Sequence, residues 1–312
     1  MAWIILKQAA IMLLLNLVGI IAYRTKIVDK NGGRQFSSFV LEIVTPVLVV
    51  NAYSEVEYEF RLVVNMLWTF LIAAISYVVA ITAAYLLIRR KAGRETEIER
   101  FSVIYSNCGF MGIPLASALL GNEGAVLRHG VPHHLLLLCV DARHHAPHRT
   151  ARPPCPPEKV LLSHHDRHCH RTGAVFCRIQ LPGILQTTFD YVAGLNTPMA
   201  MVASGISVAQ ANLLQAVRTP RVYYVSAVKL LGIPLLLTLL FLPLSFIPME
   251  VRTVVLVLMA APSAAMCTLQ CQKHSMNDVY ASGIFAMTTI LSMAAMPAVV
   301  KLFTTLLELV SA

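Results

Sequence analysis

The stretch "RFSVIYSNCGFMGIPLASALLGNEGA", Arg100–Ala125, decides the fold. It is apolar enough to enter a bilayer, whose hydrocarbon core takes roughly 20 such residues. Yet it carries Asn107, Gly109, Gly112 and Pro114 within one span. Small residues let helices approach closely. An asparagine at membrane depth is costly unless it is paired or lines a polar cavity. A proline removes a donor and frees a carbonyl, which lipid tolerates only where protein or a wet cavity faces it. Two readings fit: a Gly-rich helix packed through an interhelical Asn bond, or a helix broken at a polar site.

The rest of the chain has the same solvent preference. Of its 312 residues, 57% are hydrophobic and 13% charged, and the mean hydropathy is +0.67. Soluble domains carry about 25% charged residues, so this is an all-α polytopic membrane protein. Apolar length places spans near Trp3–Tyr23, Ser37–Tyr53, Leu62–Ile88, Phe101–Leu120, Leu185–Ala209, Val222–Leu244, Val251–Cys271 and Val279–Leu306, eight intact helices in all. The first lacks a small-residue cleavage site and reads as a retained helix rather than a signal peptide. The net charge of +9 sits in short loops, which excludes a nucleic-acid partner. Seven cysteines form no disulfide framework, and Cys108, Cys267 and Cys271 lie in spans as free thiols. The spans hold no aspartate pair, Ser-His pair or His-Glu zinc motif, so neither an enzyme nor a cofactor is expected.

Loop charge gives an orientation. The basic loops Arg24–Arg34 and Arg89–Arg100, with Arg218 and Arg221, are expected inside the cell, and the acidic loop Glu55–Glu59 outside. Both termini are then extracytoplasmic, and the cell membrane is the expected location.

The two halves echo each other. "IVTPVLVVNAYS" and "LNTPMAMVASGIS" both set Thr-Pro in an apolar run, at Thr45-Pro46 and Thr197-Pro198. Pro114 and Pro262 form a second expected pair. Interrupted apolar segments in corresponding places point to an inverted-repeat transporter.

"SNCGFMGIPL", the Thr-Pro spans, "VKLLGIPLL" at Val228–Leu237 and "APSAAMCTLQCQKH" at Ala261–His274 together resemble the auxin efflux carrier family. The resemblance covers both ends of the chain but not its middle. It implies a ten-helix inverted-repeat (5+5) transporter fold whose fourth and ninth helices are broken and cross near mid-membrane. It implies export of small organic anions such as carboxylates by alternating access. Asn107 and Pro114 match the first crossover, and Pro262 with Ser263 the second. Ser106 and Gly109 flank Asn107, Thr268 and Gln270 flank the second crossover, and Lys229 lies deep in a span, as an ion-pair partner or part of the anion path. Half-helix N-termini attract anions, so a carboxylate could bind there without a basic side chain. No metal site is expected. The sequence leaves the coupling ion open between proton and sodium, and leaves open whether the chain forms a homodimer.

Residues 1–126 would be the first repeat, helices 1–4, and 178–312 the second, helices 7–10. Between them, 127–177 is rich in His, Arg and Pro, and ten of the eleven histidines fall there. "SHHDRHCH", with His164, His165, His168, Cys169 and His170, crowds its ligand types too closely for one tetrahedral ion. A disordered loop would leave the fifth and sixth helices missing. The third reading is a shifted frame. Moved one nucleotide onward, Leu127–Pro132 can read "YATAY" and Ser163–Cys177 can read "PTMIAIVIGLGLFF". The shifted frame therefore supplies an apolar run at each end. The chain as written would then lack two helices, and the rival to a transporter is a non-transporting product of a frameshifted gene.

Overall fold

The computed structural model describes residues 2–55, 60–89, 95–128, 182–273 and 276–311. The 127–177 segment lies outside these, apart from Leu127 and Arg128, and so do the expected fifth and sixth helices. The described residues are helical, and six helices are long and apolar enough to cross a membrane. In chain order the elements are α1 (Ala2–Arg24), α2 (Lys30–Phe39), α3 (Thr45–Glu55), α4 (Phe60–Leu87), α5 (Thr96–Ile104), α6 (Ile113–Arg128), α7 (Gly183–Gly194), α8 (Asn196–Gln210), α9 (Leu213–Arg218), α10 (Pro220–Ala227), α11 (Ile233–Phe241), α12 (Met249–Ala260), α13 (Met266–Lys273) and α14 (Asp278–Ser311). The spans α1, α2–α3, α4, α7–α8, α10–α11 and α14 are the six crossing helices. The two remaining expected spans are interrupted: α5 and α6 share one, α12 and α13 the other.

α4 shows how this sequence sorts its faces. Asn65, Thr69, Ala73, Ser76, Ala80 and Ala84 are buried, while Leu67, Phe70, Leu71, Val78 and Leu86 are exposed. The small and polar stripe packs inward and the large apolar one faces outward, the arrangement lipid favours. The buried hydroxyls stay satisfied, because Thr69 Oγ1 donates to Asn65 O at 2.7 Å and Ser76 Oγ to Ile72 O at 2.7 Å.

Among the described residues, three wide π-turns interrupt the helices, at Val40–Val44, Cys108–Gly112 and Val228–Gly232. Each ends two residues before a proline, with one residue between, at Thr45-Pro46, Ile113-Pro114 and Ile233-Pro234. A helical proline lacks an N–H and its ring crowds the carbonyl four residues back. The wider turn relieves that conflict: Thr45 N bonds Val40 O and Ile233 N bonds Val228 O.

α1 and α8 lie side by side and run the same way, with Asn16 against Met201 and Gly205 and Gly19 against Val202 and Ile206. Glycines set their spacing: a Cβ on Gly205 would fall 2.1 Å from Asn16 O, and one on Gly19 2.2 Å from Val202 O. The Thr-Pro kinks meet across the bundle, where Thr45 Oγ1 lies 3.2 Å from Asn196 Oδ1. The largest core joins α4, α5, α10–α11, α12 and α14.

α5 begins at Thr96, inside the expected loop Arg89–Arg100, because Glu99 is drawn into the protein. Arg221 Nε and Nη2 donate to its two oxygens at 3.0 and 2.8 Å, and the Tyr280 hydroxyl donates at 2.9 Å. This pair puts two of the basic loops on one face of the bundle. Gly33, beside Gln210, brings the third to that face.

Candidate functional site

The breaks in the two interrupted spans meet. Ser106 and Ser263 face each other as an isolated antiparallel pair. Asn107 N donates to Pro262 O at 2.7 Å, and Ala264 N donates to Tyr105 O at 3.0 Å. Exchanging the two strands exchanges these bonds, so the crossing has a local two-fold axis.

A helix break in an apolar setting must rehouse every backbone group it frees. The carbonyl side is well served. Val103 O would normally accept from Asn107 N, which has gone to Pro262. It accepts instead from Lys229 Nζ at 3.1 Å. Leu258 O would need a donor at Pro262, which has none, and it lies 3.2 Å from Cys108 Sγ. Met259 O would pair with Ser263 N, which donates to Thr288 Oγ1 at 3.2 Å; the Ser106 hydroxyl covers that carbonyl at 3.1 Å. Ser106 Oγ in turn accepts from Lys229 Nζ at 2.6 Å. The π-turn Val228–Gly232 carries Lys229 to this point, fully buried.

The donor side is different. The second halves of the spans begin at the π-turn Cys108–Gly112 and at α13, and a first helical turn leaves its N–H groups without helical partners. Three polar side-chain atoms beside them also lack a hydrogen-bond partner among the described residues: Asn107 Nδ2, Ser263 Oγ and Thr268 Oγ1. Asn107 is 6% exposed and Ser263 fully buried. The carbonyl ends are thus neutralised from within, and the donor ends are left with capacity for an acceptor.

The structure therefore gathers Ser106, Asn107, Pro262 and Ser263 at one crossing, with Lys229 against it. Gly109 lies in the π-turn, Thr268 and Gln270 on α13. Two expectations change. Pro114 does not correspond to Pro262: it follows the π-turn inside α6, whereas Pro262 sits in the crossing itself. Lys229 is not held by an ion pair among the described residues; its partners are a carbonyl and a hydroxyl. Sequence reasoning also passed over Thr288, which anchors Ser263, and Arg252, whose Nη1 covers Phe241 O at the end of α11. A small, mainly apolar cleft opens beside the crossing at Met111, lined also by Ala9, Met12, Leu115, Met293 and Met296.

The profile of a protein family described as "Membrane transport protein" matches residues 4–133 and 173–300. It passes over 134–172, within the segment rich in His, Arg and Pro. A protein of Rhizobium meliloti (strain 1021) named "Putative malonate transporter" is 29% identical over 234 residues, 69% of each chain.

Proposed function

Because the chain belongs to the membrane transport protein family, that of the auxin efflux carriers, we propose that it exports small organic anions by alternating access. The observation that carries this is the imbalance at the crossing. Its carbonyl ends are covered by Lys229, Ser106 and Cys108, while among the described residues Asn107 Nδ2, Ser263 Oγ and Thr268 Oγ1 remain without partners beside two helix N-termini. A carboxylate supplies the acceptors these donors lack, and the helix ends favour its charge. Asn107, Ser263, Thr268 and Gln270 would contact the anion, with Gly109, Pro114 and Pro262 shaping the approach. Ser106 and Lys229 hold the frame. The name of the Rhizobium protein supports a small dicarboxylate as first choice.

The complete fold in this reading has ten helices in two inverted repeats, with the basic loops cytoplasmic and both termini outside. Residues from about 127 to 177 are then read out of frame, which the unmatched 134–172 supports. The same observation favours the second reading, a chain that no longer transports.

Counterflow of labelled malonate and monocarboxylates into proteoliposomes separates them, run on the chain as written and on the frame-restored chain. Transport by the restored chain is expected, with Asn107→Ala weakening substrate affinity about ten- to a hundredfold, since a hydrogen bond to a charged group contributes about 1.5–3 kcal/mol. Unchanged affinity in that variant removes Asn107 from the site. No carboxylate transport by the restored chain removes the function.

A further inference from the structure

A broken-helix transporter usually has to supply positive charge at its half-helix C-termini, where unwound carbonyls and the helix ends coordinate a coupling cation. In this chain the two C-termini at the crossing are those of α5 and α12. Their freed carbonyls already have a lysine amine between them. Lys229 Nζ touches Val103 O directly and reaches Met259 O through the Ser106 hydroxyl, at 3.1, 2.6 and 3.1 Å along the chain of contacts. The lysine is fully buried, and no carboxylate is paired with it among the described residues. Its amine therefore donates to one freed helix-end carbonyl and, through Ser106, is linked to the other, rather than to an acidic side chain.

We propose that Lys229 is a built-in counter-cation: its ammonium fills the position beside Val103 O and Ser106 Oγ that a coupling sodium ion would otherwise take, so this carrier moves its anion without sodium. The inference rests on the transport reading for its kinetic arm and on the geometry alone for its stability arm. Three consequences follow. The native chain gains nothing from sodium. A chain truncated at this side chain exposes Val103 O and Ser106 Oγ to whatever small cation can enter. A chain in which an uncharged side chain of similar length fills the space gains no such site.

The test compares sodium chloride with choline chloride at equal ionic strength, on the full chain, for wild type, Lys229→Ala and Lys229→Met. Melting temperature in detergent is the first readout. Wild type is expected to melt at the same temperature in both salts, Lys229→Ala to melt lower in choline and to recover in sodium, and Lys229→Met to show no sodium response. Carboxylate counterflow is the second readout, with wild-type rates within twofold between the salts and Lys229→Ala slowed about tenfold or more in choline. Sodium that raises the wild-type melting temperature, or that is needed for wild-type transport, overturns the proposal. So does a Lys229→Ala chain that melts like wild type in choline and ignores sodium. If no chain transports, the anion-export reading fails while the melting comparison still decides the role of Lys229, and a sodium response of the wild type overturns the proposal even if a variant does not fold.

Discussion

Replacing Arg221 with methionine should destabilise the bundle more than any other single loss of a surface-loop charge. Glu99 has 1% of its side chain exposed and Arg221 24%. With the guanidinium gone, the carboxylate keeps, among the described residues, only the Tyr280 hydroxyl at 2.9 Å. Breaking a buried pair by removing one partner costs about 3–5 kcal/mol. Because Arg221 is partly in solvent, we expect the low end, about 3 kcal/mol. At roughly 2–4 °C per kcal/mol for a chain of a few hundred residues, the melting temperature should fall by about 6–12 °C. Adding Glu99→Gln should return most of that loss, because the double variant no longer buries an unpaired charge. The assay is a thermal double-mutant cycle in one detergent, with Tyr280→Phe as a third corner, expected to cost about 1.5 kcal/mol or more. An Arg221→Met chain that melts with wild type would refute the reasoning. So would a double variant whose loss equals the sum of the singles, because two residues in contact must couple.

Gly205→Ala places a methyl 2.1 Å from the Asn16 carbonyl oxygen, so α1 and α8 must part; a loss of about 3 kcal/mol or more is expected, whereas Gly194→Ala, with nothing within 4 Å of the new methyl, should change stability by less than about 1 kcal/mol. Equal melting of the two would contradict the close helix contact. Cysteines placed at Ile27 and Gln215 should react with an impermeant thiol reagent only from the cytoplasmic side, and one at Ser245 only from outside; labelling of Ile27 and Gln215 from opposite faces would break the topology. Resequencing across codons 120–180 should show the frame lost near Ala125–Leu127 and regained near Cys177–Arg178, and reads that keep the present frame in a transport-competent gene would end that account.

Length and hydropathy made the six unbroken spans legible, because lipid imposes one requirement on every residue of a crossing helix. The breaks were legible in part. Asn107 and Pro114 marked the first interrupted span, since neither residue suits the middle of an apolar helix. Which groups repair the break was not legible. Val103 O finds Lys229, and Met259 O finds Ser106, 153 residues away in sequence; no local pattern encodes partners that only the assembled bundle brings together. Lys229 suggested an ion pair because side-chain charge is visible in a sequence, whereas the charge of a helix end is not. Glu99 was hidden for the converse reason. In "RRKAGRETEIER" it reads as one of many loop charges, and only Arg221, on a distant helix, draws it inside.

The two-fold pairing at Ser106 and Ser263 also sets a clock. Ser106 and its acceptor Met259 are separated by 153 residues, so at about 5–20 residues per second roughly eight to thirty seconds of synthesis divide them. Over that interval the first interrupted helix has been made and its partner has not. Its freed carbonyls at Val103 and Tyr105 cannot rest against lipid, where an unpaired group costs several kcal/mol. The early half of the chain must wait in a place that can hydrate it, such as the insertion channel or a water-filled defect. Lys229 reaches the membrane before Pro262 does, so the amine that covers Val103 O is in place before the strand that completes the crossing. A nascent chain halted between those two points should already protect the end of α5 while leaving Asn107 open to water.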